Sequence, residues 1–409
     1  VTCQRERVEI TAQYANNDTV TDYTGTISLS TNSSHGYWSR IEGNEPPDND
    51  GDGEATYTFS ESDNGTVVLG LKDTYVETVD IDVTDGTVSE DPEQDPPLAF
   101  ERAGFEFTNS TADEPAAFEI DTQISGKPSN KDPNRQELQL MAVNSTDNST
   151  ACKAALNGTV EVEMAFECID PDTCKRNASI NANNDWTDIP GNEKDSVNSY
   201  KEISFDFGGI NEAKAPFDFK YPDAGEIKLH VRYELRHANG TLTGNYMEGA
   251  SNKFVVRPFG FYIDIPGNPG NATDADGPIF TRAGKDFNAT LTAVNWESGD
   301  DQDDENGIPD SNSDIKDNNP TPNFGQENTA AEAELVRTLF APSGGVNGTL
   351  TAEKFDDFSK GNCTKTDLSW DEVGIIGLNA TDENYLDSGY NVIGFVEHVG
   401  RFVPDHFIM

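Results

Sequence analysis

The densest run of metal-capable side chains lies between Asp300 and Asp317. Within it Asp301, Asp303, Asp304, Asn306, Asp310 and Asp314 crowd carboxylate and amide oxygens around Gly307. Calcium takes about six to eight oxygens from a flexible loop, and a glycine permits the sharp turn such a loop needs. Counted from Gln302, the residues Asp304, Asn306 and Asp310 fall at loop offsets 3, 5 and 9, with Gly307 at offset 6. Gln302 stands where an acid belongs, although Asp301 and Asp303 flank it. Carboxylates this close repel one another unless a cation enters. The spacing therefore points to calcium; the competing reading is a solvated acidic loop. A second run, Asp48-Asn49-Asp50-Gly51-Asp52-Gly53-Glu54, starts like a calcium loop but has Phe59 where the bidentate acid belongs. It reads better as a hairpin loop.

The next chemistry-bearing residues are Cys3, Cys152, Cys168, Cys174 and Cys363. An odd count in a secreted chain leaves one thiol free or bonded elsewhere. Cys168 and Cys174 flank the turn-like Ile-Asp-Pro-Asp-Thr, and a local disulfide is the leading reading. A metal site would want tighter cysteine spacing and nearby histidines. Cys3 is the natural candidate for a bond to something outside the chain.

Catalytic motifs are missing from the sequence. There is no nucleophile elbow, zinc-protease helix, phosphate loop or dinucleotide fingerprint. His230 reads as a packed strand residue, and no acid or cysteine joins His398 and His406 at metal spacing. With 74 acidic residues, accidental carboxylate pairs are guaranteed and lose diagnostic value. The expectation is a protein that is not an enzyme. Tyr37-Trp38 and Trp186 sit in loop-like surroundings, so Trp38 and Trp186 are candidate glycan contacts, whereas Trp370 reads as core. Asn-x-Ser/Thr sequons are abundant, and several are Asn-Gly-Thr, which hairpin turns explain without sugar. Asn288, preceded by Asp286, is the candidate glycosylation site.

These residues ride on a chain of 409 residues with 28 Lys+Arg against 74 Asp+Glu, a net charge of −46. Such charge excludes a nucleic acid partner and disfavours an anionic membrane surface. It suits an extracellular protein of salty water, where screening keeps acidic surfaces compact and soluble. No stretch reaches the roughly 20 apolar residues of a membrane span. No signal peptide is visible before Val1, and the end at Phe407-Ile408-Met409 is abrupt, so the chain reads as a mature product or a fragment.

Hydrophobic periodicity is two nearly throughout. Val8–Tyr14, Gly25–Ser30, Ala55–Ser60, Gly65–Leu71 and Glu77–Val83 alternate apolar with polar residues, with Asp63-Asn64-Gly65 as a turn. Asp91 to Pro97 reads as a stiff acidic linker. Further strands are expected over Ala117–Ile120, Glu137–Val143, Val160–Phe166, Ile203–Phe207 and Glu226–Tyr233. Asn328–Leu339 fits either a helix or a strand. The expected architecture is all-β with little helix and long acidic loops, in three regions: 1–95, 96–257 with the local disulfide, and 258–409 with the acidic loop.

The segments YTGTISLS, ATYTFS, DNGTVVLGL and ETVDIDV resemble the bacterial Ig-like domains of intimins and invasins. The acidic loop is similar to the calcium loops of thrombospondin type 3 repeats. Asn252–Phe261, Arg282–Phe287, Trp370–Gly374 and Val399–Phe407, in this order, resemble MshQ-type proteins of mannose-sensitive haemagglutinin (type IV) pilus clusters. The resemblance implies tandem Ig-like sandwiches and a pilus-associated or cell-surface stalk, with other surface subunits as partners. A glycan-binding surface module and a self-assembling filament or sheath are the alternatives.

Overall fold

The computed structural model describes residues 1–90, 97–109, 118–145, 152–208, 213–237, 239–301, 306–310 and 313–409. Three mainly antiparallel sandwiches follow one another along the chain, the second and third with short parallel pairs at Gln123–Ile124, Gly191–Asn192 and Thr281–Arg282. In the first, Glu6–Thr11, Thr66–Lys72 and Tyr37–Glu42 form a three-stranded sheet. It faces a sheet of Asp48–Asn49, Ala55–Thr58, Thr26–Thr31 and Ile81–Thr84. Alternation sends Ile27 and Leu29 inward, where they meet Trp38, Tyr57, Leu69 and Leu71. Leu98–Phe100 pairs with Glu77–Val79 and carries Phe100 into this core, so the first core draws on residues beyond position 95.

The second sandwich has two larger sheets. One orders Ala103–Asn109, Leu138–Ser145, Lys214–Lys220, Ala178–Asn181 and Trp186–Ile189, with Cys152–Ala154 beside Leu138–Ser145. The other orders Gln123–Ile124, Leu242–Arg257, Gly225–Arg236, Gly158–Asp170 and Gly191–Asn192, with Lys201–Phe207 beside Gly158–Asp170. The core between them is rich in phenylalanine. Phe105, Phe107, Phe205, Phe207 and Phe217 contact one another in tilted or edge-on pairs, the arrangement aromatic quadrupoles favour.

The third sandwich packs Gly260–Asp264, Phe287–Val294 and Asn362–Leu368 against Thr281–Arg282, Val392–Val403, Gly374–Asp382, Ala333–Ala341 and Lys354–Phe355. Asn328–Leu339, which fits helix or strand by sequence, opens in a bend and becomes strand from Ala333: Ala333–Ala341 pairs with Gly374–Asp382. Its inward Ala333 and Leu335 join Trp370 in the core.

Two local expectations need correction. Phe118-Glu119-Ile120 forms no strand, and Ala117 lies outside the described residues. Its backbone bonds to a side chain instead: the Ile120 amide donates to Asn252 Oδ1 at 2.8 Å, and Asn252 Nδ2 donates to the Ile120 carbonyl at 3.0 Å. Tyr37-Trp38 is strand, not loop. The Asn-Gly turns behave as expected, since Gly65, Gly158, Gly240 and Gly348 all have positive φ.

Candidate functional site

The features that concentrate buried polar chemistry are the joints between sandwiches. At the first joint the chain starts on the second sandwich and then crosses to the first. Val1 and Cys3 pack against Met141, Val143 and Ala213. Cys3 is bonded to Cys152, which corrects the expectation of a partner elsewhere; the two lie 149 residues apart, a pairing that local spacing does not reveal. The Thr2 amide donates to the Glu101 carbonyl at 2.9 Å, and its hydroxyl lies 2.6 Å from that of Ser145. From Glu6 the chain joins the sheet of the first sandwich. Arg7 then spans the seam, 3.5 Å from Glu42 on one side and 3.0 Å from Glu119 on the other.

At the second joint Arg257 ends the long strand Leu242–Arg257 and is 2% exposed. Its guanidinium donates to the carbonyls of Pro258 at 3.1 Å and Gly307 at 2.9 Å. Burial lowers its pKa to about 10. Gly307 is required where it stands: its φ is +80°, and a Cβ would come 2.8 Å from Arg257 Nη2. Nearby, Asp223 is fully buried, and its Oδ1 accepts the Ala224 amide and, across the joint, the Asn323 amide at 2.8 Å. Burial pushes Asp223 up to about 7, against the pull of those amides. Asn295 Nδ2 donates to the Pro222 carbonyl, the Trp296 amide to that of Ser125, and the Asn328 amide to Asp170. Next to this joint Glu327 accepts the Tyr385 hydroxyl at 2.7 Å, and Asp382 is pushed up to about 7 by burial and by Glu327 and Glu332.

The acidic loop lies on this second joint through Gly307. Asp301 is buried and accepts the amides of Asn306 at 3.0 Å and Gly307 at 2.9 Å. Asn306 Oδ1 accepts the Ile308 amide, Asp314 accepts that of Lys316, and the Asp310 amide donates to the Asp300 carbonyl. Asp303 and Asp304 fall outside the described residues.

The remaining candidates are dispersed. Cys168 is bonded to Cys174, and Cys363 is a buried free thiol. Trp38 cannot touch a glycan. It is fully buried and donates from Nε1 to the Gly53 carbonyl at 3.0 Å, because strand alternation turns it inward and Tyr37 outward. Trp186 is half-buried with Lys220 Nζ 4.3 Å from its ring centroid. Asn288 is exposed on Phe287–Val294. His230 Nε2 meets Glu167 at 2.8 Å across two strands. His398 packs edge-on against Phe340. Sequence reasoning missed Arg257 and Asp223. The signal for Arg257 was a lone charge inside the apolar run Phe254-Val255-Val256-Arg257-Pro258-Phe259; Asp223 carries no such mark.

Among the described residues no helix is long and apolar enough to cross a membrane. No curated protein matches the sequence. Several solved structures align with the chain at low identity and low TM-score. Invasin, a bacterial integrin-binding protein, is 10% identical over 98% of this chain and 57% of that one, with a TM-score of 0.24. The chain thus spans little more than half of the invasin chain. The major pilin subunit of Bacillus cereus is 7% identical over 96% of this chain and 95% of that one, TM-score 0.20. The surface layer protein SbsC, domains 1-6, is 9% identical over 99% and 53%, TM-score 0.19. Family models are more informative. A domain of unknown function, DUF6701, matches in three consecutive parts: its first Ig-like domain over residues 85–250, its second domain over 257–367 and its third over 372–409. In this chain the second and third parts share one core, since Ile376 and Val399 pack with Phe261 and Leu291. The chain belongs to the DUF6701 family, and its all-β Ig-like fold is that family's.

Proposed function

We propose that the protein is an extracellular stalk, associated with a pilus or the cell surface, that carries and spaces other surface subunits rather than catalysing a reaction. The observation that carries this reading is the construction of the joints. Successive sandwiches that flex relative to one another share small polar interfaces. Here one joint holds a disulfide and the other a buried arginine with several cross-joint hydrogen bonds. The disulfides also suit an oxidising location. The ordered resemblance to MshQ-type proteins supports a pilus setting.

Calcium belongs to this proposal at Asp301, Asp303, Asp304, Asn306, Asp310 and Asp314. A cation held there would brace the segment whose Gly307 carbonyl receives Arg257. Small-angle scattering tests the stalk. The wild-type profile should fit one fixed arrangement of three sandwiches, and Cys152→Ser should need a spread of arrangements. A wild-type profile that needs such a spread overturns the reading. Protease added to intact producing cells tests location, since only a surface protein is removed.

A further inference from the structure

One end of the first sandwich, in residues that lie outside the three family matches, gathers a histidine and two acids. His35 sits between Thr26–Thr31 and Tyr37–Glu42; Asp73 follows Thr66–Lys72; Glu77 opens Glu77–Val79. Their ligand atoms lie within 4.8 Å of one another. We propose that His35, Asp73 and Glu77 form a binding site for a zinc-class divalent cation.

Three observations carry this. First, His35 Nδ1 and a Glu77 oxygen are 2.8 Å apart, so imidazole nitrogen and carboxylate already converge. Second, Asp73 is 1% exposed, and while its Oδ1 accepts the Tyr75 amide at 2.8 Å, its Oδ2 is buried with no hydrogen-bond donor. A buried carboxylate oxygen without a donor is costly, and a cation is one of the few groups that offsets it. Third, the imidazole is held. Its ring stacks on Tyr75 with centroids 3.9 Å apart and planes 11° apart, and the His35 carbonyl accepts the Thr31 hydroxyl at 2.7 Å.

The donor set selects the ion class. One imidazole nitrogen and two carboxylates suit zinc, which binds such atoms at about 2.0–2.2 Å. Calcium wants a larger, all-oxygen set. His35 and Glu77 are part-exposed, with 38% and 26% of their side chains accessible. A fourth coordination position therefore faces solvent, open to water or to a donor from another molecule.

The test is zinc chloride titrated by calorimetry into the full chain after chelator treatment, with millimolar calcium present throughout. One zinc should bind. His35→Gln and Asp73→Asn should each weaken it about tenfold or more, the scale on which lost ligands and their supports act. Asp310→Ala, in the distant acidic loop, should leave it unchanged. His35 is at the surface, so its variant stays interpretable if Asp73→Asn fails to fold. Absence of zinc binding in the wild type, or equal binding by His35→Gln, overturns the proposal. So does an Asp73→Asn variant that is more stable than a wild type indifferent to zinc, which identifies a proton shared by two acids.

Discussion

Arg257 Nη2 donates to the Gly307 carbonyl at 2.9 Å, joining the last residue of a strand in the second sandwich to the acidic loop that lies against the third. The buried guanidinium is held between two carbonyls, that of the next residue Pro258 at 3.1 Å and that of Gly307. Gly307→Ala should destabilise the protein by about 1–3 kcal/mol, since alanine meets both an unfavourable φ and the guanidinium. Urea unfolding followed by tryptophan fluorescence measures this. No change in midpoint would mean that the loop is not held at the joint.

Calcium should raise the unfolding temperature if the acidic loop binds it. A ligand at about 100 times its dissociation constant contributes roughly 2.7 kcal/mol. Thermal unfolding in excess EDTA and then in millimolar calcium, repeated for Asp304→Ala and Asp310→Ala, reads this out. A shift that survives both substitutions places the ion elsewhere.

Stability should fall as pH rises from about 4 to above 7. Asp223 and Asp382 are each raised from an ordinary 3.8 to about 7 in the folded protein, chiefly by burial. The folded state then holds more protons than the unfolded state across that window, so their contribution is complete below the ordinary value and lost as pH rises through about 7. Glu327, raised by burial, adds in the same direction, while Arg176 opposes at Asp223. Asp223→Asn should flatten the slope of stability against pH. A slope unchanged in the variant would show that Asp223 ionises normally.

Trp38→Ala should cost about 3–5 kcal/mol, the usual effect of emptying a large buried site, because Trp38 fills the first core and bonds Gly53. Chemical denaturation measures it. A folded variant of wild-type stability would contradict the buried placement.

Cys363 should resist a thiol reagent in the native protein and react on unfolding. It is buried, and burial raises its pKa above the ordinary thiol value. One equivalent of thiol released only in denaturant is the expected count, the other four cysteines being paired.

The sequence makes the sandwiches legible and leaves the joints obscure, for a physical reason. Alternation such as Ile27 and Leu29 against Ser28 and Ser30 is local and reports which face is buried. The partner of Cys3 is chosen by packing of distant segments, and no spacing rule reaches from 3 to 152. Trp38 misleads because neighbouring Gly36 and the acidic run after it read as loop, although its strand pairs with Val68–Lys72, with one register shift between Arg40 and Glu42. The Ile120–Asn252 contact is hidden similarly, since a side chain performs what period-two patterning assigns to a strand. The acidic loop is visible as composition, but its seat beside Arg257 is not. Likewise Asp73 and Glu77 look like two acids among 74 until folding sets them beside His35.

The Cys3–Cys152 bond also decides how tension travels. A pull applied before Cys3 and after Cys152 passes through the two sulfur atoms and bypasses everything between them. The whole first sandwich, from Glu6 to Phe100, lies inside that covalent bypass. It would hang beside the load path as a sheltered side module, together with the second sandwich's strands Ala103–Asn109, Gln123–Ile124 and Leu138–Ser145, while the strands after Cys152 and the third sandwich bear the force. Reduction would place it in series, where it would become the next element free to stretch.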